Sequence, residues 1–144
     1  MKELHRVRGI VRRGNQLGRT LGYPTANMIL HQDIRDGVYV SLTSIDRCPA
    51  ALQKKYRSQM VEWNGKMWLR SLTFIGAAET FGGTKRKIET FILDFNGNLY
   101  THWLTVSLLS YVRGSKKFKT VDDLLVAMNN DTTTARAYFE KFDL

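Results

Sequence analysis

At 144 residues with 43% apolar content, the chain can bury one core and is too short for two large domains. A net charge of +9 admits an anionic partner without choosing among nucleic acid, an acidic membrane surface and a triphosphate. Cys48 is the sole cysteine, which excludes an intrachain disulfide, and His5, His31 and His102 are scattered with no CxxC or HExxH spacing, which argues against a zinc centre.

The first residues, Met1-Lys2-Glu3-Leu4-His5-Arg6, are polar and carry no apolar signal core, and no later stretch reaches the length of a membrane span. The expectation is a cytoplasmic monomer that needs neither membrane nor nucleic acid. In chain order, runs rich in Val, Ile, Leu, Thr and aromatics predict strands at Leu4–Arg12, Gly37–Ile45, Lys66–Ile75, Lys87–Phe95 and Leu99–Leu109. Residues 46–60 lack periodicity and read as a long basic connection, and loops of that length are functional or mobile. Asn64-Gly65 and Asn96-Gly97 predict type I′ hairpin turns, the second joining Ile88–Phe95 to Leu99–Leu109.

After residue 119 the period changes. Thr120 can cap a helix, Asp123 suits its first turn, and Val121, Leu124, Leu125 and Met128 recur at helical spacing. Asn129-Asn130-Asp131 predicts a break and a new cap, after which Ala135, Tyr138, Phe139 and Phe142 form a second stripe. Strands followed by helices predict a mainly β fold, a closed or nearly closed antiparallel barrel with C-terminal α-helices. The expected organisation is one domain over residues 1–144, with 46–60 as an inserted loop and about 120–142 as the helical part.

The stretch from Gly14 to Asn27 holds the most chemistry. Gly14, Gly18 and Gly22 let backbone amides approach a ligand, Arg19 adds a fixed positive charge, and Pro24 stiffens the exit. Thr25 and Asn27 then supply hard oxygen donors of the kind Mg²⁺ accepts. No Walker A spacing is present, and on physics alone a plain Gly-rich turn is the favoured reading.

Residues 18–27, Gly-Arg-Thr-Leu-Gly-Tyr-Pro-Thr-Ala-Asn, resemble the G-R-x-L-G-x-P-T-A-N motif of bacterial and eukaryotic riboflavin kinases. Further matches follow in family order: Gly37-Val38-Tyr39, Phe74-Ile75-Gly76, Ile88-Glu89-Thr90, Leu93-Asp94-Phe95 with Leu99-Tyr100, Tyr111-Val112-Arg113 with Lys116 and Phe118, and Asp131 with Ala135-Arg136. The resemblance implies a six-stranded Greek-key antiparallel β-barrel that moves the γ-phosphate of ATP onto riboflavin to make FMN. It assigns the nucleotide to Gly14, Arg19, Thr25, Ile92, Asp94 and Tyr100, Mg²⁺ to Thr25 and Asn27, the general base to Glu89, and the flavin to Arg113, Lys116 and Phe118.

Departures from the family pattern are Phe74 in place of its Asn, Glu79 in place of its Pro, Phe91 in place of a frequent His, and Thr101 in place of a Gly. The 46–60 connection also exceeds the family's usual hairpin, and the nucleotidylyltransferase domain that bacterial members often carry is not in this sequence, so FAD synthesis is not expected of it. Two other functions stay open. One is a basic barrel that binds single-stranded nucleic acid through aromatics and cations; the other is a flavin or nucleotide sensor with weak catalysis. Residue by residue, plainer roles compete: Glu89 as a solvated strand carboxylate, Arg113–Lys119 as a basic turn, and Trp63, Trp68 and Trp103 as core.

Overall fold

Alternation in the β-rich runs places every second side chain on one face, and the chain answers by closing that face on itself. The computed structural model describes residues 2–13, 22–77 and 86–144. Its strands are β1 (His5–Ile10), β2 (Ala26–Leu30), β3 (Gly37–Ile45), β4 (Met60–Trp63), β5 (Lys66–Ala77), β6 (Arg86–Ile92) and β7 (Trp103–Arg113). All pairings are antiparallel, in the order β1-β7-β3-β5-β6-β2, with β4 added beside β5. The sheet curls until the Arg12 amide donates to the Asn27 carbonyl at 2.7 Å, a lone bridge between its two edges. A nearly closed six-stranded barrel with Greek-key order results.

The barrel has two cores. Inward residues such as Val7, Met28, Tyr39, Leu69, Ile88, Leu104 and Val106 fill the interior. Outward residues Val38, Val40, Leu42, Leu72 and Leu93 are covered by Ala135 and Phe139 of the C-terminal helix. Every residue of β3 is therefore buried. Part of the interior is polar. Thr43 Oγ1 lies 2.8 Å from Ser71 Oγ, which lies 2.7 Å from Ser41 Oγ; Ser41 Oγ meets Thr73 Oγ1 at 2.8 Å, and Thr73 reaches Thr90 Oγ1 at 3.1 Å. These five hydroxyls are at most 1% exposed and satisfy one another, as buried polar groups must.

The structure differs from the sequence reading at several points: β4 was not expected, and β7 runs Trp103–Arg113 where Leu99–Leu109 was expected. Strand β2 was not expected; it has only five residues and follows directly on the Gly-rich stretch. The 46–60 connection is ordered: helix α1 (Ala50–Tyr56) and a 3-10 turn (Arg57–Gln59) occupy most of it. Asn64-Gly65 does make the β4–β5 turn, with φ of 51° and 75°. Asn96-Gly97 does not join a hairpin, because β6 and β7 are not neighbours. The Asn96 amide donates to the Tyr56 hydroxyl at 3.1 Å, so α1 captures the crossing segment. Gly97 is required there for close approach: a Cβ would stand 2.6 Å from the Phe95 ring.

The C-terminal part is one helix, α2 (Val121–Lys141), and not two. Thr120 caps it as expected, accepting from the Asp123 amide at 3.1 Å, and Asp122 and Asp123 complement its dipole. The expected break at 129–131 fails because Asp131 is committed to a buried ion pair and cannot serve as a cap. Thr132 and Thr133 return their hydroxyls to the carbonyls of Met128 and Asn129, one turn back within the same helix. No helix among the described residues is long and apolar enough to cross a membrane.

Candidate active site

Register decides the site. Asn27 of β2 is the direct partner of Glu89 on β6, and Glu89 is the direct partner of Phe74 on β5. Phe74 faces Val38 on β3, and Val38 faces Arg113 on β7. Directly opposed residues of an antiparallel pair point to the same side. One transverse row across the outer wall therefore reads Asn27, Glu89, Phe74, Val38, Arg113. From Glu89 to Arg113 it spans three strand spacings, roughly 14 Å at about 4.8 Å each.

At the β2 end of the row, Asn27 is 9% exposed. Its amide nitrogen donates to the Thr25 carbonyl at 3.4 Å, and its Oδ1 is buried without a hydrogen-bond partner among the described residues. A buried acceptor left without a partner costs roughly 1–3 kcal/mol, and the chemistry of this oxygen suits a donor or a hard cation. The Glu89 carboxylate, about one quarter exposed, lies 2.6 Å from Lys87 Nζ.

A cavity of about 60 Å³ opens beside Asn27, lined also by Thr25, Thr90, Ile92, Asn98 and Tyr100. Glu89 is not in its wall but stands next to it, on the neighbouring strand in line with Asn27. The Arg13 guanidinium lies 5.3 Å from the Tyr100 ring centroid, at the rim. Thr25, Asn27, Ile92, Tyr100 and Glu89 thus come together. Gly14 and Arg19 lie outside the described residues.

Asp94 is placed elsewhere. It forms a two-pronged ion pair with Arg136 of α2, both distances 3.0 Å, and does not line the cavity. The hydrogen bonds from Arg136 hold its carboxyl below the usual range, against a smaller opposing effect of desolvation. At the far end of the row, Arg113 makes two bonds to Asp131 of α2, at 2.9 and 2.8 Å, with Asp131 3% exposed. Phe118 packs between cations, 5.6 Å from Arg113 and 5.7 Å from Lys116. Ser115 donates to the Ile75 carbonyl at 3.2 Å, which lays the 113–118 segment over β5, one strand from Glu89.

Sequence reasoning made none of Lys87, Thr90, Asn98 and Asp131 a site residue, and it read Asp131 as part of a helix cap. Lys87 and Thr90 flank Glu89 at two residues and one, so the strand period could have placed Lys87 beside the carboxylate and Thr90 on the opposite face. The ties from Asp131 to Arg113 and from Asn129 to Tyr23 cross from α2 to distant segments, and no local pattern encodes them.

Residues 1–139 match the family profile described as "Flavokinase: Riboflavin kinase". A bifunctional riboflavin kinase/FMN adenylyltransferase of Haemophilus influenzae is 32% identical over 137 residues, covering 94% of this chain and 39% of that protein. The trifunctional protein RibF/MnmA of Mycoplasmoides gallisepticum is 30% identical, with 94% and 18% coverage. The chain therefore spans about two fifths or less of the length of these relatives. Among solved structures, one described as a macrolide-efflux protein from Streptococcus pneumoniae superposes with a TM-score of 0.71 at 32% identity, over 91% of this chain and 38% of that one. Riboflavin kinase from Trypanosoma brucei shares the fold, with a TM-score of 0.59 at 19% identity over 94% of this chain and 80% of that one. The chain belongs to the riboflavin kinase family.

Proposed function

We propose that the chain transfers the γ-phosphoryl group of ATP to the 5′-hydroxyl of the ribityl chain of riboflavin, giving FMN and ADP. The observation that carries this reading is the direct pairing of Asn27 with Glu89 at the edge of the cavity. A primary alcohol is a weak nucleophile, and a fixed carboxylate at that point can accept its proton as the oxygen attacks phosphorus. The new bond joins the 5′-oxygen to the γ-phosphorus as the bond to the β–γ bridging oxygen breaks.

Phosphoryl transfer also requires neutralised phosphate charge and alignment. The orphan Oδ1 of Asn27, with Thr25 two residues before it, fits a divalent cation of the Mg²⁺ type, which would offset charge on the phosphates when bound. Among the described residues no cluster of His, Cys, Asp and Glu competes for that role. Thr25, Ile92 and Tyr100 would meet the nucleotide, together with Gly14 and Arg19 of the Gly-rich stretch. The cavity has the room of about two waters at roughly 30 Å³ each, so it would receive only the innermost part of that ligand. Asp94 would act at one remove, holding α2 against the end of β6 through Arg136.

Riboflavin would lie along the transverse row. Its ribityl end would sit at Glu89 and its ring at the half-buried Phe74, short of Val38, which α2 covers, with Arg113, Lys116 and Phe118 of the segment over β5 beside the ring. Incubating the protein with riboflavin, ATP and Mg²⁺ and separating the flavins by chromatography is the test. FMN formed in proportion to protein supports the reading; unchanged riboflavin, with the fold intact by circular dichroism, overturns it.

A further inference from the structure

A second cavity, about 450 Å³, lies apart from the first and shares none of its lining residues. It lies within the size range of small-molecule sites. Ile45 at the end of β3, Met60 of β4 and Leu69 of β5 give it an apolar wall, and Arg47 and Cys48 border it from the segment that leads into α1. Lys66, at the start of β5, stands at its edge.

The charge inside this cavity is unbalanced. Asp46, its only acidic residue, is already engaged: Arg8 Nε lies 2.6 Å from its carboxylate and Thr105 donates to it at 3.2 Å. Arg47 and Lys66 are both exposed, and neither has an acidic partner among the described residues. Lys66 Nζ lies 6.0 Å from the Trp68 ring centroid, a contact that leaves its charge unneutralised; two cations without acidic partners beside an apolar wall are complementary to one chemical class.

We propose that this cavity is a binding site for a small organic anion. The anionic head would lie between Arg47 and Lys66, and the apolar body against Ile45, Met60 and Leu69. The ordered 46–60 connection then has a role that a plain surface loop would lack, since it supplies part of the cavity wall. The proposal does not depend on the kinase reading.

The probe is 8-anilinonaphthalene-1-sulfonate, which joins a sulfonate to an aromatic body, titrated calorimetrically into the full chain. The expected result is saturable binding at one site, unchanged when riboflavin and Mg-ATP-γ-S are present in excess. Bound probe should also slow alkylation of Cys48 by iodoacetamide, read by mass spectrometry. Arg47→Glu with Lys66→Glu should weaken binding at least about tenfold, the equivalent of one lost charge-assisted contact, and abolish the protection of Cys48. Should that double variant melt at a lower temperature, Lys66→Ala removes one exposed cation alone and should weaken binding about threefold, on the order of 0.6 kcal/mol. Absence of saturable binding, unchanged affinity in the folded variants, or displacement by riboflavin would each overturn the assignment.

Discussion

Along β6 the outward side chains change character within a few residues. Lys87 and Glu89 pair with each other at the partly open end of the strand, whereas Phe91 and, just past the strand's end, Leu93 join the apolar cluster under α2. The same contrast crosses the sheet: the Asn27–Glu89 row is polar and partly open, and the row from Val40 to Leu72 is buried. One wall of the barrel therefore carries two adjoining surfaces, one that holds the fold together and one free to do chemistry. The covering helix is what separates them, so changes on each surface should be separable in experiment.

The largest effect is expected from Glu89→Gln, which keeps shape and removes the proposed proton acceptor. Turnover should fall by roughly 10²–10⁴, with the melting temperature and ATP binding nearly unchanged; turnover near wild type would remove Glu89 from the mechanism. Phe139→Ala attacks the other surface. Phe139 is 2% exposed in the outer core, so a loss of about 3–5 kcal/mol by urea unfolding is expected. Turnover per folded molecule should survive, and its collapse would show that the two surfaces are not independent.

Asp131→Ala tests the tie between them. Losing the paired bonds to Arg113 should cost roughly 1.5–3 kcal/mol, at the lower end because the Arg113 side chain is 26% exposed and water can reach it. The Michaelis constant for riboflavin should rise more than that for ATP; equal changes would place Arg113 away from the flavin.

The smallest effect belongs to Asp94→Asn. This pair is more than half exposed on both sides, so under about 1 kcal/mol is expected. Because the folded carboxyl is held below its ordinary value of 3.8, the stabilisation is present above that value and is lost as pH falls through the lower, folded one. Wild type and variant should therefore converge in stability as the medium is acidified through the folded carboxyl's lowered range, and a difference that grows on acidification would refute the assigned ion pair.

Much of this architecture was legible because periodicity is local. The β3 and β7 runs, the α2 stripe and the Thr120 cap are each written within a dozen residues. The family likeness brought out Thr25, Asn27 and Glu89, yet the register that pairs Asn27 with Glu89 was not readable. β2 has five residues and no hairpin turn to fix its partner. Asn96-Gly97 misled for a related reason: turn chemistry was right for a hairpin, but the Tyr56 hydroxyl and the Phe95 ring use those residues for a crossing. Helix α2 read as two because Asn129-Asn130-Asp131 resembles a cap until the distant Arg113 claims Asp131.

The file of hydroxyls from Thr43 through Ser71, Ser41 and Thr73 to Thr90 has one more consequence. Each oxygen carries a single proton and two lone pairs, so a member that gives to one neighbour must take from the other, and at most one member can take from both. Its ends touch the two cavities, Thr43 at the larger and Thr90 at the smaller. The donors along the file are therefore set jointly, and the barrel's interior is less like oil than like a short row of needles laid between two doors.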